Sequence, residues 1–284
     1  MAAAIHTVGI VGSGIMGSGL AAVIAGAGYD VVVASRSWAT ADAVLQTIDG
    51  DLSKAVERGK TTADVHRETM GRISAIEGLA GLADCDLVIE SVIEELPVKI
   101  GLFGDLDRAM KPTAILATNT STLPVIDLAL ATTRPELVCG IHFFNPAPLM
   151  KLVEVVRPLT ASAETIDTSM AFVASCGKDA VEVKDHAGFI VNALLFPYLN
   201  NAVRMLERGT ASVESIDTAM KGGCNFPMGP FALLDLVGID TSVAILETIH
   251  DSFGNASDEP AATLREMLAA GHLGRKTKQG FYTY

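Results

Sequence analysis

A glycine-rich loop that directly follows a short apolar run constrains the fold of this chain more than any other feature. The loop, Gly12-Ser13-Gly14-Ile15-Met16-Gly17, fits the pattern G-x-G-x-x-G and stands between the run Thr7 to Val11 and a segment of small residues, Ser18 to Ala27. In this context the glycines allow a tight turn, a close approach of the backbone to a pyrophosphate and close packing of a helix on a strand. The sequence therefore predicts a βαβ unit that binds a dinucleotide through Gly12, Gly14, Ile15, Met16 and Gly17. The alternative is a tight turn that binds no ligand.

The alternation of strand and helix patterns continues along most of the chain. From Ile5 to about Val183, short runs rich in β-branched residues alternate with longer segments rich in Ala and Leu. This alternation is typical of a parallel sheet covered by helices. The segment Trp38 to Met70 instead has apolar residues at helical spacing, interrupted by Gly59, and predicts a helix pair that projects from the sheet. The predicted strands are Thr7–Val11, Asp30–Ala34, Asp86–Ile89, Ala114–Ala117, Leu137–His142, Lys151–Val156 and Ala180–Val183.

The pattern changes after Asp185, where valine-rich runs give way to helical periodicity. With 284 residues, the chain is long enough for two hydrophobic cores. We therefore predict an α/β domain of the Rossmann type over residues 1–185, with a mostly parallel sheet, and an all-α domain over residues 186–284. The predicted helices of the second domain are Gly188–Glu207, Ser212–Met220, Pro230–Leu236, Ser242–Ser252 and Ala262–Ala270.

Charge and composition exclude several classes of partner. The net charge of -12 and the lack of a dense basic run argue against nucleic acid. We find no uninterrupted apolar stretch of about 18 residues, so no membrane span is expected. Residues Met1 to Ala4 carry no basic segment of the kind that begins a signal peptide, which predicts a cytoplasmic protein. The four cysteines are far apart in sequence, and we expect neither a disulfide framework nor a metal site.

The end of the second predicted strand bears on the choice of cofactor. Enzymes that bind NAD commonly place an acidic residue there, which holds the adenine ribose 2'-hydroxyl. This chain has Ser35 followed by Arg36, and the nearby acid, Asp30, lies at the other end of the strand. A hydroxyl beside a guanidinium suits a 2'-phosphate, so the sequence favours NADP(H). The alternative is that Arg36 is a solvated surface charge and that NAD(H) binds at Ser35.

Two polar segments follow predicted strands, at the edge of the sheet where α/β proteins bind ligands. One is Ala117-Thr118-Asn119-Thr120-Ser121-Thr122, and the other is His142-Phe143-Phe144-Asn145-Pro146. Residues 151–156 look like the returning strand of a hairpin, which would bring Glu154 beside His142. A carboxylate that orients an imidazole suits proton transfer to and from an alcohol oxygen.

Six segments in this order resemble the 3-hydroxyacyl-CoA dehydrogenases, and within that family the short, single-function type that acts on 3-hydroxybutyryl-CoA. The segments are GSGIMGSG, NTST, HFFNPAPLMKLVEVV, GFIVN, PMGPFALLDLVGID and GRKTKQGFYTY. The resemblance covers nearly the whole chain and implies an L-specific dehydrogenase. It would move a hydride between C3 of an acyl-CoA and a nicotinamide, and NADPH would favour the reduction of acetoacetyl-CoA.

The resemblance also implies roles for individual residues. His142 would be the acid and base, Glu154 would orient it, and Ser121 and Asn192 would hydrogen-bond the reacting substrate. Further cofactor contacts would be Glu94, Lys99, Asn119, Ser121, Asn145 and Lys278. Ser35 departs from the family, in which this position usually holds Asp.

Other expectations concern partners. Lys54 and Arg58, four residues apart on one predicted helix face, match positions that meet the CoA phosphates in the family, although they equally fit a solvated face. The resemblance implies a homodimer formed through the second domain, and the apolar positions from Phe226 to Val237 fit either that interface or the core.

Two other functions remain open. One is a related 3-hydroxy acid dehydrogenase of the gulonate type, and the other is a sensor that binds a dinucleotide without catalysis.

Overall fold

The computed structural model describes residues 5–284, which form two compact units that divide between Asp185 and His186. Residues Met1 to Ala4, on which the expectation of a cytoplasmic location rests in part, lie outside the described residues.

The first unit is built on one eight-stranded sheet with the strand order β3-β2-β1-β4-β5-β6-β7-β8. All neighbouring strands are parallel except β6 and β7, which form an antiparallel pair. The doubly wound α/β fold and the mostly parallel sheet predicted from the sequence are therefore confirmed. The strands are β1 (Thr7–Val11), β2 (Asp30–Ser35), β3 (Ile73–Glu77), β4 (Leu87–Glu90), β5 (Ile115–Thr118), β6 (Val138–Phe143), β7 (Leu152–Arg157) and β8 (Asp179–Lys184).

Strand β3, Ile73–Glu77, is missing from the seven strands predicted. It pairs with β2 alone and forms an edge of the sheet, where no residue of the strand is fully buried. A short edge strand needs no continuous apolar run, because one of its edges is unpaired and its residues remain partly exposed to solvent. The sequence Ile-Ser-Ala-Ile-Glu therefore carried little of the signal that identified the buried strands.

Helices cover the sheet, and their apolar residues complete its core. Small buried residues on α1, Gly17, Ala21 and Ala25, let this helix lie close to the sheet. The helices of the first unit are α1 (Ile15–Gly26), α2 (Trp38–Glu57), α3 (Ala63–Gly71), α4 (Leu96–Ala109), α5 (Val125–Leu130) and α6 (Ala163–Ser175), with short 3₁₀ turns at Ala80–Leu82 and Pro135–Leu137.

The helix pair predicted over residues 38–70 corresponds to α2 and α3. The first half of α2 packs on the sheet, since Val44 and Ile48 belong to the same core as Val31 and Val33 of β2. Its far end, with Lys54 and Arg58, is exposed. The pair is therefore anchored at its base, and only its tip extends away from the core.

The second unit is all helical, as predicted. Its core includes Phe196, Leu199, Phe231 and Leu246. Of the segment from Phe226 to Val237, Phe231 and Leu234 are in this core, whereas Phe226 and Leu236 are exposed. The helices are α7 (Val191–Glu207), α8 (Val213–Cys224), α9 (Pro230–Val237), α10 (Ile239–Phe253) and α11 (Ala262–Ala269), followed by a 3₁₀ turn at Arg275–Thr277.

Candidate active site

Two glycines of the G-x-G-x-x-G loop are required by the fold itself. Gly12 has a φ of +125°, and a β-carbon on it would lie 2.3 Å from the carbonyl oxygen of Ser91. A β-carbon on Gly17 would lie 1.9 Å from the carbonyl oxygen of Gly12, across the turn. Any side chain at either position would therefore collide with the backbone, which explains the tight turn between β1 and α1.

The middle glycine has no such structural reason. Gly14 precedes α1 in an ordinary extended conformation, and a β-carbon on it would meet no heavy atom within 4 Å beyond its chain neighbours. No side chain caps the start of α1, and Ile15, its first residue, is 79% exposed. The first amide groups of this helix therefore have no side-chain cap, which is also the case at a helix start that binds phosphate. Gly14, Ile15 and Met16 thus form a backbone cradle that fits the pyrophosphate of a dinucleotide.

The end of β2 lies beside this cradle. Ser35 is buried, and its hydroxyl has no hydrogen-bond partner among residues 5–284, whereas Arg36 is exposed. Asp30 forms an ion pair with Arg72 at 3.3 Å, at the opposite end of the strand, so it cannot replace an acid at Ser35. A carboxylate that sequence reasoning missed, Glu77, ends the neighbouring strand β3, and it accepts a hydrogen bond from the backbone N–H of Trp38.

His142 and Glu154 face each other across the antiparallel pair β6 and β7. His142 Nδ1 lies 2.9 Å from Glu154 Oε2, and both side chains are buried. The hairpin inferred from the sequence is therefore present. Its pairing makes the carboxylate a fixed partner of one ring nitrogen, which determines the tautomer of the imidazole.

Asn119 connects the two polar segments at this edge of the sheet. The side-chain oxygen of Asn119 accepts a hydrogen bond from the backbone N–H of Phe143 at 2.8 Å. The backbone N–H of Asn119 donates to the carbonyl oxygen of Glu90. The side chain thus holds the loop after β5 against the end of β6, next to His142. The cofactor contact expected of Asn119 stays a prediction.

Glu94 holds the loop that carries Ser121. One of its carboxylate oxygens accepts hydrogen bonds from the backbone N–H of Ser121 at 2.8 Å, from the hydroxyl of Ser121 at 3.2 Å and from the hydroxyl of Thr120. Burial by itself would raise the pKa of Glu94, but the Lys99 ammonium and the hydrogen bonds from Thr120 and Ser121 outweigh it and hold this pKa below its usual range. Glu94 is therefore an ionised acceptor at neutral pH.

The side chain of Lys99 is more deeply buried than we expected for a residue that contacts the cofactor directly. Its side chain is 1% exposed, and its ammonium lies 2.6 Å from Glu90 and 3.3 Å from Glu94. Glu90, the last residue of β4, is fully buried, and sequence reasoning missed it. An acidic residue at the end of an otherwise apolar strand was the signal that could have revealed it.

Asn145 lies in an exposed loop after β6, in which the Asn145-Pro146 peptide bond is cis. Lys178, another residue that sequence reasoning missed, holds this loop by donating hydrogen bonds to the carbonyl oxygens of Ala147 and Met150. Burial, together with the positive charge of Lys151, lowers the pKa of Lys178.

The remaining predicted residues belong to other elements of the chain. Lys54 is 63% exposed and pairs with Asp51, and Arg58 is exposed at the end of α2. Asn192 and Lys278 belong to the second unit, in the first turn of α7 and directly after the last 3₁₀ turn. Within residues 5–284, no helix is long and apolar enough to cross a membrane.

Comparison with known proteins identifies the family of this chain. Residues 7–186 match the model of the 3-hydroxyacyl-CoA dehydrogenase NAD-binding domain, and residues 188–284 match the model of the C-terminal domain of the same enzymes. The chain is 43% identical to a 3-hydroxybutyryl-CoA dehydrogenase of Bradyrhizobium diazoefficiens, over 100% of this chain and 97% of the relative.

Solved structures agree with the sequence matches. The crystal structure of Mycobacterium tuberculosis FadB2 has a TM-score of 0.97 and 43% identity, and covers 99% of this chain and 100% of the other. That of the (S)-3-hydroxybutyryl-CoA dehydrogenase PaaH1 of Ralstonia eutropha has a TM-score of 0.96 and 39% identity, and covers 99% of both chains. This chain therefore belongs to the 3-hydroxyacyl-CoA dehydrogenase family.

Proposed function

We propose that this protein catalyses the reversible oxidation of L-3-hydroxybutyryl-CoA to acetoacetyl-CoA, with reduction favoured when the cofactor is NADPH. The observation that carries the proposal is the buried pair of His142 and Glu154 at the ligand-binding edge of a sheet that also has a dinucleotide cradle. The relatives named above as 3-hydroxybutyryl-CoA dehydrogenases support the choice of substrate.

His142 is proposed to move the proton. Its Nδ1 is engaged by Glu154, which leaves Nε2 as the nitrogen that exchanges a proton with the oxygen on C3. In oxidation His142 takes the hydroxyl proton, and Glu154 stabilises the imidazolium that forms. In reduction His142 returns that proton to the oxygen of the ketone. A nicotinamide held at this site would supply the hydride chemistry, as acceptor in oxidation and as donor in reduction.

Ser121 and Asn192 are proposed to hydrogen-bond the reacting part of the substrate. Donors fixed in advance around a developing oxyanion stabilise it more than they stabilise the ground state, because they need no reorganisation. Glu94 supports this role for Ser121, since it anchors the backbone of the loop as well as the hydroxyl.

We further propose that the cofactor is NADP(H). Gly12, Gly14, Ile15, Met16 and Gly17 would hold the pyrophosphate, and Ser35 and Arg36 would bind the 2'-phosphate. The unpartnered hydroxyl of Ser35 and the exposed guanidinium of Arg36 support this preference. By resemblance, the other half of the cofactor would meet Glu94, Lys99, Asn119, Ser121, Asn145 and Lys278.

Substrate binding and assembly complete the proposal. Lys54 and Arg58 would meet the CoA phosphates, and their exposure at the tip of the helix pair leaves them accessible to a large ligand. A homodimer through the helical unit would cover exposed apolar side chains such as Phe226 and Leu236. A cytoplasmic location is also a prediction.

The test is a comparison of substrates and cofactors in one assay that follows nicotinamide absorbance. Acetoacetyl-CoA and free acetoacetate are each offered with NADPH and with NADH. The proposal expects turnover of the thioester, little or none of the free acid, and a higher kcat/KM with NADPH. Turnover of free oxo or hydroxy acids alone would instead support the gulonate type of activity, and dinucleotide binding without any turnover would support a sensor.

A further inference from the structure

Strand β3 places a carboxylate beside the end of β2, where Ser35 stands in place of an acidic residue. Glu77 is the last residue of β3, and the parallel pairing of the two strands sets it opposite Ser35. Neighbouring strands of a sheet are about 4.8 Å apart. The two strand ends are also joined directly, since the backbone N–H of Gly78 donates a hydrogen bond to the carbonyl oxygen of Ser35 at 2.9 Å. Glu77 thus adjoins the position at which NAD-binding proteins of this fold commonly have an acid.

The carboxylate of Glu77 is held at the turn that carries Arg36. Glu77 Oε2 accepts a hydrogen bond at 3.1 Å from the backbone N–H of Trp38, the first residue of α2. Arg36 lies two residues before Trp38, and the side chains of Arg36 and Glu77 are both exposed. An anionic group therefore already accepts the first amide hydrogen of α2. A second anion brought to this turn would be repelled by it.

The same turn adjoins the dinucleotide cradle. The backbone N–H of Gly12 donates to the carbonyl oxygen of Ala34 at 3.1 Å, one residue before Ser35. The hydroxyl of Ser35 is buried and has no hydrogen-bond partner in the part of the chain that the structure describes. In the cofactor site proposed above, Ser35 and Arg36 meet the 2'-phosphate. Glu77 therefore adjoins the end of the site at which NADP(H) and NAD(H) differ.

We propose that Glu77 is a specificity-determining residue that limits the affinity of this protein for NADP(H). This role rests on the proposed dinucleotide site and concerns its choice between two cofactors that differ only in the 2'-phosphate. A phosphate monoester carries nearly two negative charges at neutral pH. Arg36 attracts this group, and Glu77 repels it. The preference for NADPH is then a balance of two opposite charges, and it is smaller than Arg36 alone would produce.

Glu77→Gln tests the charge without removing the hydrogen bond, because the side-chain oxygen of glutamine also accepts an N–H. The dissociation constants of NADPH and of NADH are measured by nicotinamide fluorescence without substrate. The variant should bind NADPH about 3- to 10-fold more tightly, as expected for removing one surface charge near a doubly charged phosphate. It should bind NADH within about twofold of the wild type. The gain for NADPH should decrease as the salt concentration rises, because salt screens exposed charges.

A second variant separates the charge from a purely structural role. Glu77→Ala removes the acceptor of the Trp38 N–H together with the charge. If Glu77 only holds the turn, Glu77→Gln should bind both cofactors as the wild type does, and Glu77→Ala should bind both less tightly. That pattern would overturn the proposal. Weaker binding of NADH by Glu77→Gln, with NADPH unchanged, would also overturn it, because the carboxylate would then be a ligand of the ribose hydroxyl.

Combination with Arg36→Ala shows on which group Glu77 acts. If the carboxylate repels the phosphate directly, Glu77→Gln should also tighten NADPH binding in the Arg36→Ala background. If Glu77 acted only by neutralising Arg36, the gain would disappear in that background. Its disappearance would exclude direct repulsion of the phosphate.

Glu57→Gln is the matched control. Glu57 is exposed and is the last residue of α2, roughly 28 Å from Trp38 along the helix. This variant changes the net charge by the same amount and should leave both dissociation constants unchanged. An equal gain in NADPH affinity in Glu57→Gln and Glu77→Gln would assign the effect to net charge and contradict the proposal.

These binding measurements also keep two kinds of failure apart. A wild type that binds NADPH but does not turn over acetoacetyl-CoA would refute the proposed dehydrogenase activity, and the comparison with Glu77→Gln would still be decisive. An NADPH dissociation constant in Glu77→Gln within about twofold of the wild-type value would refute the role of Glu77, whatever the activity.

Discussion

His142 shows how much of this site depends on a single pairing of two strands. The antiparallel register places His142 opposite Glu154, and the two side chains meet at 2.9 Å inside the protein. Because the carboxylate occupies Nδ1, the catalytic role that we propose depends on the other ring nitrogen. The residue is therefore the natural place to test the chemistry.

We predict that His142→Gln lowers kcat for acetoacetyl-CoA reduction by about 10²- to 10⁴-fold, the usual contribution of a general acid or base. Binding of the dinucleotide, measured by calorimetry, should change little. His6→Gln is the matched control, since His6 is exposed just before β1. Retention of most activity in His142→Gln would remove this residue from the mechanism.

Arg36 tests the choice of cofactor. We predict that Arg36→Ala lowers kcat/KM for NADPH by about 10- to 100-fold, as expected for the loss of a hydrogen bond between charged groups, and leaves kcat/KM for NADH nearly unchanged. Arg67→Ala, which removes the same charge from an exposed position on α3, should affect neither cofactor. An equal decrease in kcat/KM for NADPH and for NADH in Arg36→Ala would show that the guanidinium does not bind the 2'-phosphate.

At the scale of the element, the turn between β1 and α1 separates what folding needs from what binding needs. Gly12 and Gly17 have backbone atoms where a side chain would lie, whereas the space beside Gly14 is open. The fold itself therefore explains Gly12 and Gly17. Gly14, by contrast, suits the dinucleotide that we propose, which would approach the backbone there.

We predict that Gly14→Ala mainly weakens dinucleotide binding, whereas Gly17→Ala mainly lowers the stability of the fold. Gly14→Ala should leave the free energy of unfolding within about 1 kcal/mol of the wild type, the size of an N-cap change. It should still weaken NADPH binding clearly, because the methyl group occupies the cradle. Gly17→Ala should lower the free energy of unfolding by about 1–3 kcal/mol or more through overpacking. Urea titrations and calorimetry measure the two quantities, and unweakened binding by Gly14→Ala would contradict the assignment of the cradle.

The same elements show what the sequence could and could not predict. The glycine loop, the buried strands and the His142 hairpin were predicted because each leaves a local pattern of glycine, apolar or alternating residues. Strand β3 was missed because an edge strand has little apolar signal, and Glu77 was missed with it. Glu90 and Lys178 were also missed, since their partners, Lys99 and the carbonyl oxygens of Ala147 and Met150, meet them only in the folded chain.

At the scale of the whole molecule, each unit contains carboxylates that the folded state keeps ionised. In the first unit, burial would raise the pKa of Asp86, but hydrogen bonds from Lys111 and from the backbone of Thr7 and His6 outweigh it and lower this pKa. In the second unit, burial opposes and Lys276 favours the charged form of Asp240, and the pKa is again lowered. Groups of this kind stabilise the fold above their unfolded pKa, and this stability is lost as pH falls through the folded value.

We therefore predict that the free energy of unfolding decreases below about pH 4, and that Asp86→Asn reduces the slope of this decrease. The variant should also be less stable than the wild type at pH 7, because it loses the carboxylate that Lys111 contacts. Urea titrations between pH 3 and pH 7 measure both effects, with the exposed neighbour Asp84→Asn as the control. An unchanged slope in Asp86→Asn would show that this carboxylate does not couple folding to pH.

Hydride exchange with C3 of an acyl-CoA is the reaction that defines the activity proposed for this protein. The most direct measurement is the reduction of acetoacetyl-CoA with NADPH that carries deuterium at both C4 positions of the nicotinamide, followed by mass and nuclear magnetic resonance analysis of the product. We expect 3-hydroxybutyryl-CoA of the L configuration with one deuterium, located at C3. A product without deuterium at C3, or no product while the dinucleotide is bound, would contradict it.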